Sequence, residues 1–383
     1  MTELPKIVSV ETFAVPVPFA HSFVLGSGSV GDVHQTGDVL FVKITADDGS
    51  VGWGEQRALP SWSHETIETI QVVVRRQLAP LVIGMDPTKI EAFQARAKAQ
   101  LSPAVSSGFP FAKNAVDIAL HDLAGRILGV PVSALLGGSK HDELPLCSAI
   151  GVDSVEAVRE RVIESSDFHA YKVKISGRVD ADAASVRAVA EHADGKPIWL
   201  DANQSYRPSA VRQLLSKIDD VPHLYCIEQP VSSTDWGGMR RLRGMIDLPV
   251  ALDEGSFTSS DLARNITLDM ADLVVVKTCK AGGLRQALKT IAVADAHGIE
   301  VLSSGLTDCG VGFAAALHLF SVTDLALPAE LNGPELLGEL YVDGLEISGG
   351  IAKVPTGPGL GVDVDEDRIR SLARALDDEG VPA

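Results

Sequence analysis

Three acidic residues and three lysines stand at regular intervals along the second half of the chain, each at or near the end of a short apolar run. They are Asp201, Glu228, Asp253, Lys172, Lys174 and Lys277. A single aspartate after a strand is more often a helix N-cap than a metal ligand. Three carboxylates in succession would crowd negative charge into one poorly hydrated space, which is costly unless a cation lies among them. Oxygen ligands alone favour a hard ion, so the pattern predicts Mg²⁺, or Mn²⁺, on these carboxylates.

The lysines suit proton chemistry beside such an ion. Lys172 and Lys174 are two residues apart on one predicted strand, so both ammonium groups face the same side. Neutralising the carboxylates would explain Lys172, but a second lysine beside it exceeds that need. We expect like charges and a cation nearby to lower the pKa of these lysines into the range of a general base. Lys277 lies across the same space, so two lysines could exchange a proton on opposite faces of a metal-bound carboxylate.

The residues lie on apolar runs that repeat after Leu136-Gly137-Gly138. The runs are 144–150, 170–175, 197–201, 224–228, 249–253, 273–277, 300–303 and 325–331. From the second run on, their polar ends recur every 24–27 residues, the length expected of one strand–helix unit. Nearly continuous apolar runs are typical of buried parallel strands. Eight such units predict a TIM-type barrel whose strand ends share one mouth. A doubly wound open sheet is the alternative, but it rarely keeps so even a period.

The regions on either side of the barrel indicate a second, α+β unit. Residues 39–45 and 51–55 surround Asp47-Asp48-Gly49, which predicts a β-hairpin. Helical periodicity follows in three segments, 64–78, 86–101 and 113–128. The end of the chain returns to turn-rich β signals and is expected to pack back on this unit. The predicted organisation is therefore a capping domain over 1–135, a barrel over 136–342 and a C-terminal segment over 343–383.

Composition excludes several classes of function. Hydrophobic residues make up 45% and charged residues 22% of the chain, as in an ordinary globular protein. No apolar run is long enough to suggest a membrane span. The formal charge of −18 would repel phosphate backbones, so nucleic acid is not an expected partner. The four cysteines form no CxxC pair. A reducing, cytoplasmic location is therefore expected, with Cys226 and Cys279 as buried thiols.

Taken in order, these motifs resemble the enolase superfamily and its muconate lactonizing enzyme subgroup. The resemblance covers nearly the whole chain, beginning with Gly52-Trp53-Gly54-Glu55 in the predicted hairpin. At the join to the barrel it includes Ala115-Val116-Asp117-Ile118-Ala119-Leu120-His121-Asp122-Leu123 and Leu135-Leu136-Gly137-Gly138. In the barrel it includes Tyr171-Lys172-Val173-Lys174, Asp201-Ala202-Asn203, Ile227-Glu228-Gln229-Pro230, Leu252-Asp253-Glu254 and Lys277-Thr278-Cys279-Lys280-Ala281-Gly282-Gly283. One such motif alone would be weak evidence, whereas all of them in this order are specific.

The resemblance implies a modified (β/α)7β barrel, capped by an α+β domain that the N-terminal segment and the C-terminal tail form together. The implied ligands of Mg²⁺ are Asp201, Glu228 and Asp253. Lys174 and Lys277 would be the acid/base pair, and Lys172 would bind and polarise the substrate carboxylate. Glu254 would support the metal ligands from behind. The resemblance also implies a homo-oligomer, and the lack of a histidine base on the later strands argues against the mandelate racemase subgroup.

The substrate is expected to be a small carboxylic acid, held by Lys172, Glu330, Asn203 and Ser304. Glu330-Leu331-Asn332-Gly333-Pro334 resembles the Glu-Leu-x-Gly-Pro of the cycloisomerases. Dipeptide epimerases tend to place two aspartates here to hold an ammonium group, and Asn332 argues against that. We therefore favour lactonisation of a muconate-like unsaturated diacid. The alternatives are a racemase or epimerase of an N-acylamino acid, dipeptide or proline-like acid, an acid dehydratase, and a barrel that binds metal and acid without turnover. The acid/base pair argues against the last.

Two other signals have simpler interpretations. Residues 26–31 match GxGxxG, but no helix follows, so a dinucleotide site is not expected. A flexible glycine- and serine-rich loop over the barrel mouth fits better and resembles the family's specificity loop. On it, His21, Phe23 and His34 would either contact substrate or be exposed to solvent. The tryptophans are expected to pack in the core or the capping domain; they are Trp53, Trp62, Trp199 and Trp236.

Overall fold

The structure is a computed structural model and describes residues 4–26, 28–103 and 107–374. Ser27 of the predicted loop and residues 375–383 of the predicted C-terminal segment lie outside the described residues. The first strands are β1 (Ile7–Pro18), β2 (Phe23–Leu25), β3 (Gly28–Gly31), β4 (Thr36–Ala46) and β5 (Val51–Arg57). β4 lies between β1 and β5 in an antiparallel sheet, so the predicted hairpin is confirmed. β2 and β3 pair in a short hairpin of their own where a flexible glycine- and serine-rich loop was predicted.

Helices follow the antiparallel sheet in the chain, and the first, second and fourth of them contact it. They are α1 (Ile67–Val73), continued by a π-helical turn (Val74–Leu78), then α2 (Ala79–Val82), α3 (Ile90–Gln100), α4 (Pro110–Leu128) and α5 (Val132–Leu135). The helical segment predicted over 64–78 begins at Ile67 and continues through Pro80 to Val82. α4 begins three residues earlier than predicted, where the Glu65 carboxylate accepts from the N–H groups of Phe111 and Ala112.

The middle of the chain begins with a short strand, β6 (Glu143–Pro145), that stands outside the main sheet, and then forms a parallel sheet wrapped by helices. Its further elements are β7 (Cys147–Ile150), α6 (Val155–Glu164), β8 (Ala170–Lys174), α7 (Val179–His192), β9 (Ile198–Asp201), α8 (Pro208–Lys217), β10 (Leu224–Glu228), α9 (Trp236–Arg243), β11 (Val250–Leu252), α10 (Ser259–Thr267), β12 (Leu273–Val276), α11 (Thr278–Ala281), α12 (Leu284–Ala296), β13 (Glu300–Ser303) and α13 (Gly310–Ser321). The strands from β7 to β13 stand in chain order in one curled sheet. This confirms the barrel, and the open doubly wound sheet is excluded.

The eighth predicted strand, 325–331, is wrong as a regular strand but still closes the barrel. It forms isolated bridges at Ala329, to Leu146, and at Glu330, to Ser304. Ala329 O accepts from Cys147 N at 2.8 Å on the first edge, and Glu330 O accepts from Gly305 N at 3.0 Å on the last. Pro328, within the segment, has no N–H to donate, which interrupts a ladder. The run predicted over 144–150 is also divided, because β6 pairs with a strand of the C-terminal segment.

The C-terminal part returns to the first sheet. Its elements are α14 (Gly333–Leu336), β14 (Val342–Asp343), β15 (Ile347–Ser348), β16 (Ile351–Lys353), β17 (Asp363–Val364) and α15 (Glu366–Leu372). β16 pairs with β6, and Arg374 N donates to Ala14 O at 2.9 Å on β1. Glu366 pairs with Lys43 of β4 at 2.7 Å. The C-terminal segment thus contacts the capping sheet, while the boundaries at 135 and 342 stay a prediction.

One buried carboxylate joins three parts of the capping region. Asp122 on α4 accepts from Trp53 N of β5 at 2.8 Å and from Leu360 N at 2.8 Å. Its third partner is Arg126 Nε at 3.0 Å, and Arg126 also donates to Val362 O. Asp122 therefore links β5, α4 and the C-terminal segment at one point.

All four cysteines are free and buried, as expected of Cys226 and Cys279. Within the described ranges, no helix is both long and apolar enough to cross a membrane.

We expect His318 to contribute a loss of stability in mild acid. This fully buried residue on α13 accepts from Ser133 N and lies 3.1 Å from Leu360 O. Burial lowers its pKa from 6.5 to about 4. As the pH falls from about 6.5 to about 4, His318 binds a proton in the unfolded chain but not in the folded chain. The free energy of unfolding therefore decreases by about 3 kcal/mol across that window.

Urea unfolding between pH 7 and pH 4 measures this loss. His318→Gln should remove this loss from the pH dependence, so that its stability relative to the parent protein rises as the pH falls from 7 to 4. His297→Gln, on the surface, is the matched control. An unchanged slope in His318→Gln would contradict the assignment.

Candidate active site

The strand ends bring all six residues of the predicted pattern into one buried cluster. Lys172 and Lys174 both point from β8 into the barrel, and Asp201 and Glu228 end β9 and β10. The remaining two, Asp253 and Lys277, follow β11 and β12 directly. Lys174, at 7% exposure, is the most exposed of the six. The period-two pattern of β8 is therefore confirmed, since Val173 packs on the outer, helical side of the sheet.

Lys172 lies between two of the carboxylates. Its Nζ is 3.0 Å from an oxygen of Asp201 and 3.0 Å from an oxygen of Glu228. Glu330 lies slightly farther away, at 3.4 Å. The indole ring of Trp199 supports the ammonium group at 4.5 Å and donates Nε1–H to Glu228 at 2.5 Å. Trp199 was expected to be plain core packing, but it orients Glu228.

Lys174 is held at the neighbouring position. Its Nζ donates to Asp201 Oδ2 at 2.5 Å and to Asn203 Oδ1 at 3.3 Å. The other end of the Asn203 amide donates to Glu254 Oε1 at 3.1 Å. Glu254 therefore lies behind the cluster, in the position that the family resemblance implied.

Asp253 is held by two lysines, one of which was missed in the sequence. Lys277 Nζ donates to Asp253 Oδ2 at 2.6 Å. Lys280 donates to Asp253 Oδ1 at 2.7 Å, to Asp253 O at 3.0 Å and to Val275 O at 2.7 Å. Lys280 has 2% exposure, and a signal existed, because it follows Lys277 by one helical turn and so shares its side of the chain.

The far wall of the cluster comes from the segment that closes the barrel. Glu330 accepts from the hydroxyl group of Ser304 and contacts Lys172. Asn332 lies two residues further on, and its Oδ1 is buried without a partner among the described residues. Ser304 and Glu330 were both predicted to bind substrate, and the structure brings them beside the lysines.

A cavity opens over this cluster beneath the β2–β3 hairpin. Its polar lining consists of Lys174, Lys277, Asn203, Ser304, Thr307, Glu330 and Asn332. Its apolar lining, with Gly305, consists of Phe23, Leu25, Val30, Leu59, Trp62 and Leu306. Of the candidate contacts on the predicted loop, Phe23 alone lines this cavity. His21 and His34 are exposed, and His21 lines a different cavity, against α6.

The four tryptophans lie in different environments. Trp62 lies 4.4 Å from Lys277 Nζ over the cavity, and Trp53 is buried in the capping domain. Trp236 is 44% exposed on α9, so its predicted burial is wrong. The amphipathic pattern of α9 does not reveal this, because tryptophan is apolar in sequence yet tolerates a partly wet position.

Burial and charge act against each other on the carboxyl groups. Burial raises the pKa of Glu228 and repulsion by Asp201 raises it further, so it lies well above the usual range. Burial also opposes ionisation of Asp201, but Lys172 and Lys174 outweigh it and hold that pKa well below the usual range. Lys277 and Lys280 do the same for Asp253. Burial and its acidic neighbours raise the pKa of Glu254 to about 7.

The contacts of Lys172 and Lys277 with carboxylates raise the pKa values of these two lysines, opposite to the expected lowering. Burial lowers the pKa of Lys277, but attraction to Asp253 outweighs it and leaves the pKa above its usual value. Burial likewise lowers the pKa of Lys172, and Asp201 and Glu228 together outweigh it. The expectation rested on like charges and a nearby cation, whereas the carboxylates in direct contact raise these pKa values.

The donor set fits a hard divalent cation. Among the described residues the cluster holds five carboxylates, of Asp201, Glu228, Asp253, Glu254 and Glu330, and four lysines, Lys172, Lys174, Lys277 and Lys280. With all of these groups ionised, negative charge would exceed positive charge by one, and burial and Asp201 oppose that ionisation at Glu228. One ammonium group already reaches Asp201 and Glu228 together, so one cation can contact both. Across 4–26, 28–103 and 107–374, however, no three acidic, histidine or cysteine side chains form a ready-made metal site, because lysines take the carboxylate oxygens.

Comparisons with known proteins agree with this geometry. The N-terminal domain model of mandelate racemase and muconate lactonizing enzyme matches residues 7–137. A second model, described as enolase C-terminal domain-like, matches residues 153–368. The chain belongs to the mandelate racemase/muconate lactonizing enzyme family. This family lies within the enolase superfamily, as the sequence motifs indicated.

Individual members of the family resemble the chain over its full length. Chloromuconate cycloisomerase of Pseudomonas putida is 32% identical over 382 residues, which cover 97% of this chain and 100% of the relative. N-succinyl-L-Arg/Lys racemase of Bacillus cereus is 30% identical over 376 residues, covering 96% and 98%. The solved structure of muconate lactonizing enzyme from Pseudomonas fluorescens, complexed with muconolactone, superposes with a TM-score of 0.89 at 29% identity, covering 97% and 100%.

These matches establish an isomerase of the enolase superfamily. Members of this subgroup depend on a divalent metal ion and act on small carboxylate substrates. They include both cycloisomerases and racemases, so the matches leave the substrate open. The non-catalytic binding barrel is set aside.

Proposed function

We propose that the chain is a Mg²⁺-dependent cycloisomerase that lactonises a muconate-like unsaturated diacid. The observation that carries the proposal is that Lys174 and Lys277 line one cavity from strands β8 and β12, which three other strands separate. Substrate between them would meet a proton donor on either side. The apolar wall of Phe23, Leu25 and Leu306 suits an unsaturated carbon chain.

The ligands of the metal would be Asp201, Glu228 and Asp253. When bound, Mg²⁺ would supply positive charge that stabilises the extra negative charge developing on the substrate carboxylate. Lys172 would bind the same carboxylate and hold it against the cluster. Asn203 and Glu254 would fix the position of Lys174, and Lys280 would fix Asp253.

In the forward reaction the distal carboxylate of the diacid attacks the conjugated chain and forms the ring C–O bond. The electron pair of the broken double bond moves toward the carbon beside the other carboxylate. Lys174 or Lys277, as an ammonium group, then delivers a proton to that carbon. Atoms balance, since the lactone is an isomer of the diacid. The walls of the cavity exclude water that would otherwise compete for the proton.

Glu330 and Asn332 favour this reaction over recognition of an ammonium group. Glu330 is already engaged by Lys172 and Ser304. Asn332 carries no charge to hold a second cation. A substrate without an ammonium group therefore suits this wall better than a dipeptide.

Racemisation of an N-acylamino acid is the second candidate. It rests on the same pair of lysines, because a racemase needs one base on each face of the α-carbon, and on the full-length similarity to the racemase of B. cereus. Epimerisation of a dipeptide or a proline-like acid and acid dehydration rank below it. A homo-oligomer and a cytoplasmic location stay predictions.

We expect cis,cis-muconate to be consumed in the presence of Mg²⁺, with loss of its conjugated-diene absorbance. In D₂O the product should carry one solvent deuterium. Chelator-treated enzyme and enzyme without Mg²⁺ are the controls. Racemisation of N-succinylarginine by a sample that leaves muconate unchanged would replace the proposal with the second candidate.

A further inference from the structure

Arg57, the last residue of β5, is a buried cation outside the active-site cluster. Its side chain is 1% exposed. Burial lowers its pKa to about 10, so it remains charged at neutral pH. Among the described residues, no carboxylate forms an ion pair with it within 4 Å.

Such a residue is difficult to explain by stability alone. Asp308, Asp38 and Glu55 favour the charged form of Arg57 only from beyond 4 Å. Burying a cation without a closer counter-ion costs free energy, and an apolar side chain of similar volume is often no less stable. The role of the guanidinium group therefore has to be inferred from the groups that it contacts. These are two backbone carbonyl groups and one aromatic ring.

The two carbonyl groups belong to different parts of the molecule. Nη2 donates to Val30 O, on β3 of the hairpin, at 2.8 Å. Nη1 donates to Leu306 O, in the loop after β13 of the barrel, at 3.2 Å. Val30 and Leu306 both line the cavity over the lysines, whereas Arg57 does not. Arg57 therefore joins two walls of the cavity from outside it.

An aromatic ring and two glycines surround the guanidinium group of Arg57. The guanidinium carbon lies 5.0 Å from the ring centre of Phe19. A Cβ atom on Gly31 would lie 2.2 Å from that ring, and one on Gly37 would lie 3.1 Å from Arg57 Nε. Glycine at both positions leaves the room that the stacked pair occupies. The barrel loop needs support as well, because Thr307 is held at a φ of 58°, a strained conformation for a branched residue.

We infer that Arg57 is a positioning residue that holds β3 of the capping hairpin and the 305–308 loop of the barrel together as neighbouring walls of the active-site cavity. It acts through Val30 and Leu306 and touches no reacting atom. Its rigid fork reaches two carbonyl groups at once, which the single ammonium group of a lysine cannot do with the same geometry.

Hydrogen–deuterium exchange of Arg57→Met tests the inference without any substrate. We expect amide exchange in 28–31 and 305–308 to speed up roughly tenfold or more, while the strands of the barrel keep their protection. Arg126→Met is the matched control, since Arg126 also holds a backbone carbonyl group, Val362 O, within the capping region. That variant should leave exchange in both cavity walls unchanged.

A kinetic readout follows for the substrate that the enzyme turns over, with cis,cis-muconate as the first probe. Arg57→Met should raise KM roughly tenfold with kcat changed by less than about threefold, because the residue shapes the site and takes no part in proton transfer. Guanidinium ions at millimolar concentration should partly restore protection in Arg57→Ala. If Arg57→Met does not fold, Arg57→Lys should show an intermediate exchange rate in the same two segments.

Uniformly faster exchange along the whole chain, or unchanged exchange in both walls, would overturn the inference. The exchange experiment also separates it from the proposed function. If muconate is not a substrate, the two segments should still lose protection together.

Discussion

Alanine at Lys174 and at Lys277 is expected to separate the two candidate reactions. If the substrate is racemised, each lysine handles the proton on one face, so each variant should lose a different half-reaction. Lys174→Ala would still exchange the α-proton of one enantiomer, and Lys277→Ala that of the other. If the substrate is lactonised, a single lysine delivers the proton. Its loss should lower turnover about 10²- to 10⁴-fold, whereas loss of the other should cost much less.

The structure places both lysines suitably for this test. Each lines the cavity and each contacts a different carboxylate, Asp201 for Lys174 and Asp253 for Lys277. NMR of solvent-deuterium incorporation, run with each single variant and both enantiomers of the substrate, distinguishes the outcomes. Lys140→Ala, a surface lysine paired with Asp324, is the control. Near-normal turnover in both active-site variants would show that the lysines only balance the carboxylates.

Glu228→Gln is expected to weaken Mg²⁺ binding by on the order of 100-fold or more and to abolish activity at ordinary metal concentrations. Glutamine keeps the shape of the side chain and can still accept from Trp199 Nε1, so the fold should survive. Without Mg²⁺ the variant should melt at or above the temperature of the parent protein. The reason is that burial and Asp201 both oppose ionisation of Glu228.

Asp201→Asn provides the contrast. Asp201 pairs with Lys172 at 3.0 Å and with Lys174 at 2.5 Å, so its loss leaves two buried ammonium groups short of a partner. Both variants should lose metal affinity, but only Asp201→Asn should lower the melting temperature without Mg²⁺. Calorimetric titration with Mg²⁺ and thermal melts measure the two effects. Full activity in a sample shown to be free of metal would contradict the metal assignment altogether.

Much of the barrel could be predicted from the sequence because buried parallel strands leave a strong signal. Each apolar run is short, and each ends in a polar residue at the mouth, so the spacing of Lys174, Asp201, Glu228 and Asp253 follows the strand–helix period. The same regularity predicted which side chains converge. It could not predict the closing segment, where Pro328 and contacts to both edges replace a ladder.

Contacts that depend on three dimensions were harder to predict. Lys280 lies outside the strand period, and its role follows from the short helix α11 that turns it back onto Asp253. Trp199 is apolar in a run of apolar residues, so nothing marks it as the donor to Glu228. The pKa of Lys277 depends on its burial and on its contact with Asp253 at 2.6 Å, which no pattern of residue types encodes. Arg57 gave no signal because a single cation at a strand end is normally exposed.

The junction at Asp122 has a consequence for the order in which the protein folds during synthesis. Trp53 and Asp122 leave the ribosome early, but Leu360 follows Asp122 by 238 positions. Until then this buried carboxylate lacks one of its donors, and β1 lacks the bridge to Arg374. The strands and helices of the barrel, whose neighbours in space are neighbours in sequence, can assemble in the meantime. The first domain to be synthesised is therefore expected to be the last to be completed, and a nascent chain arrested before residue 360 should show a protease-resistant barrel beside a capping region that is still cleaved.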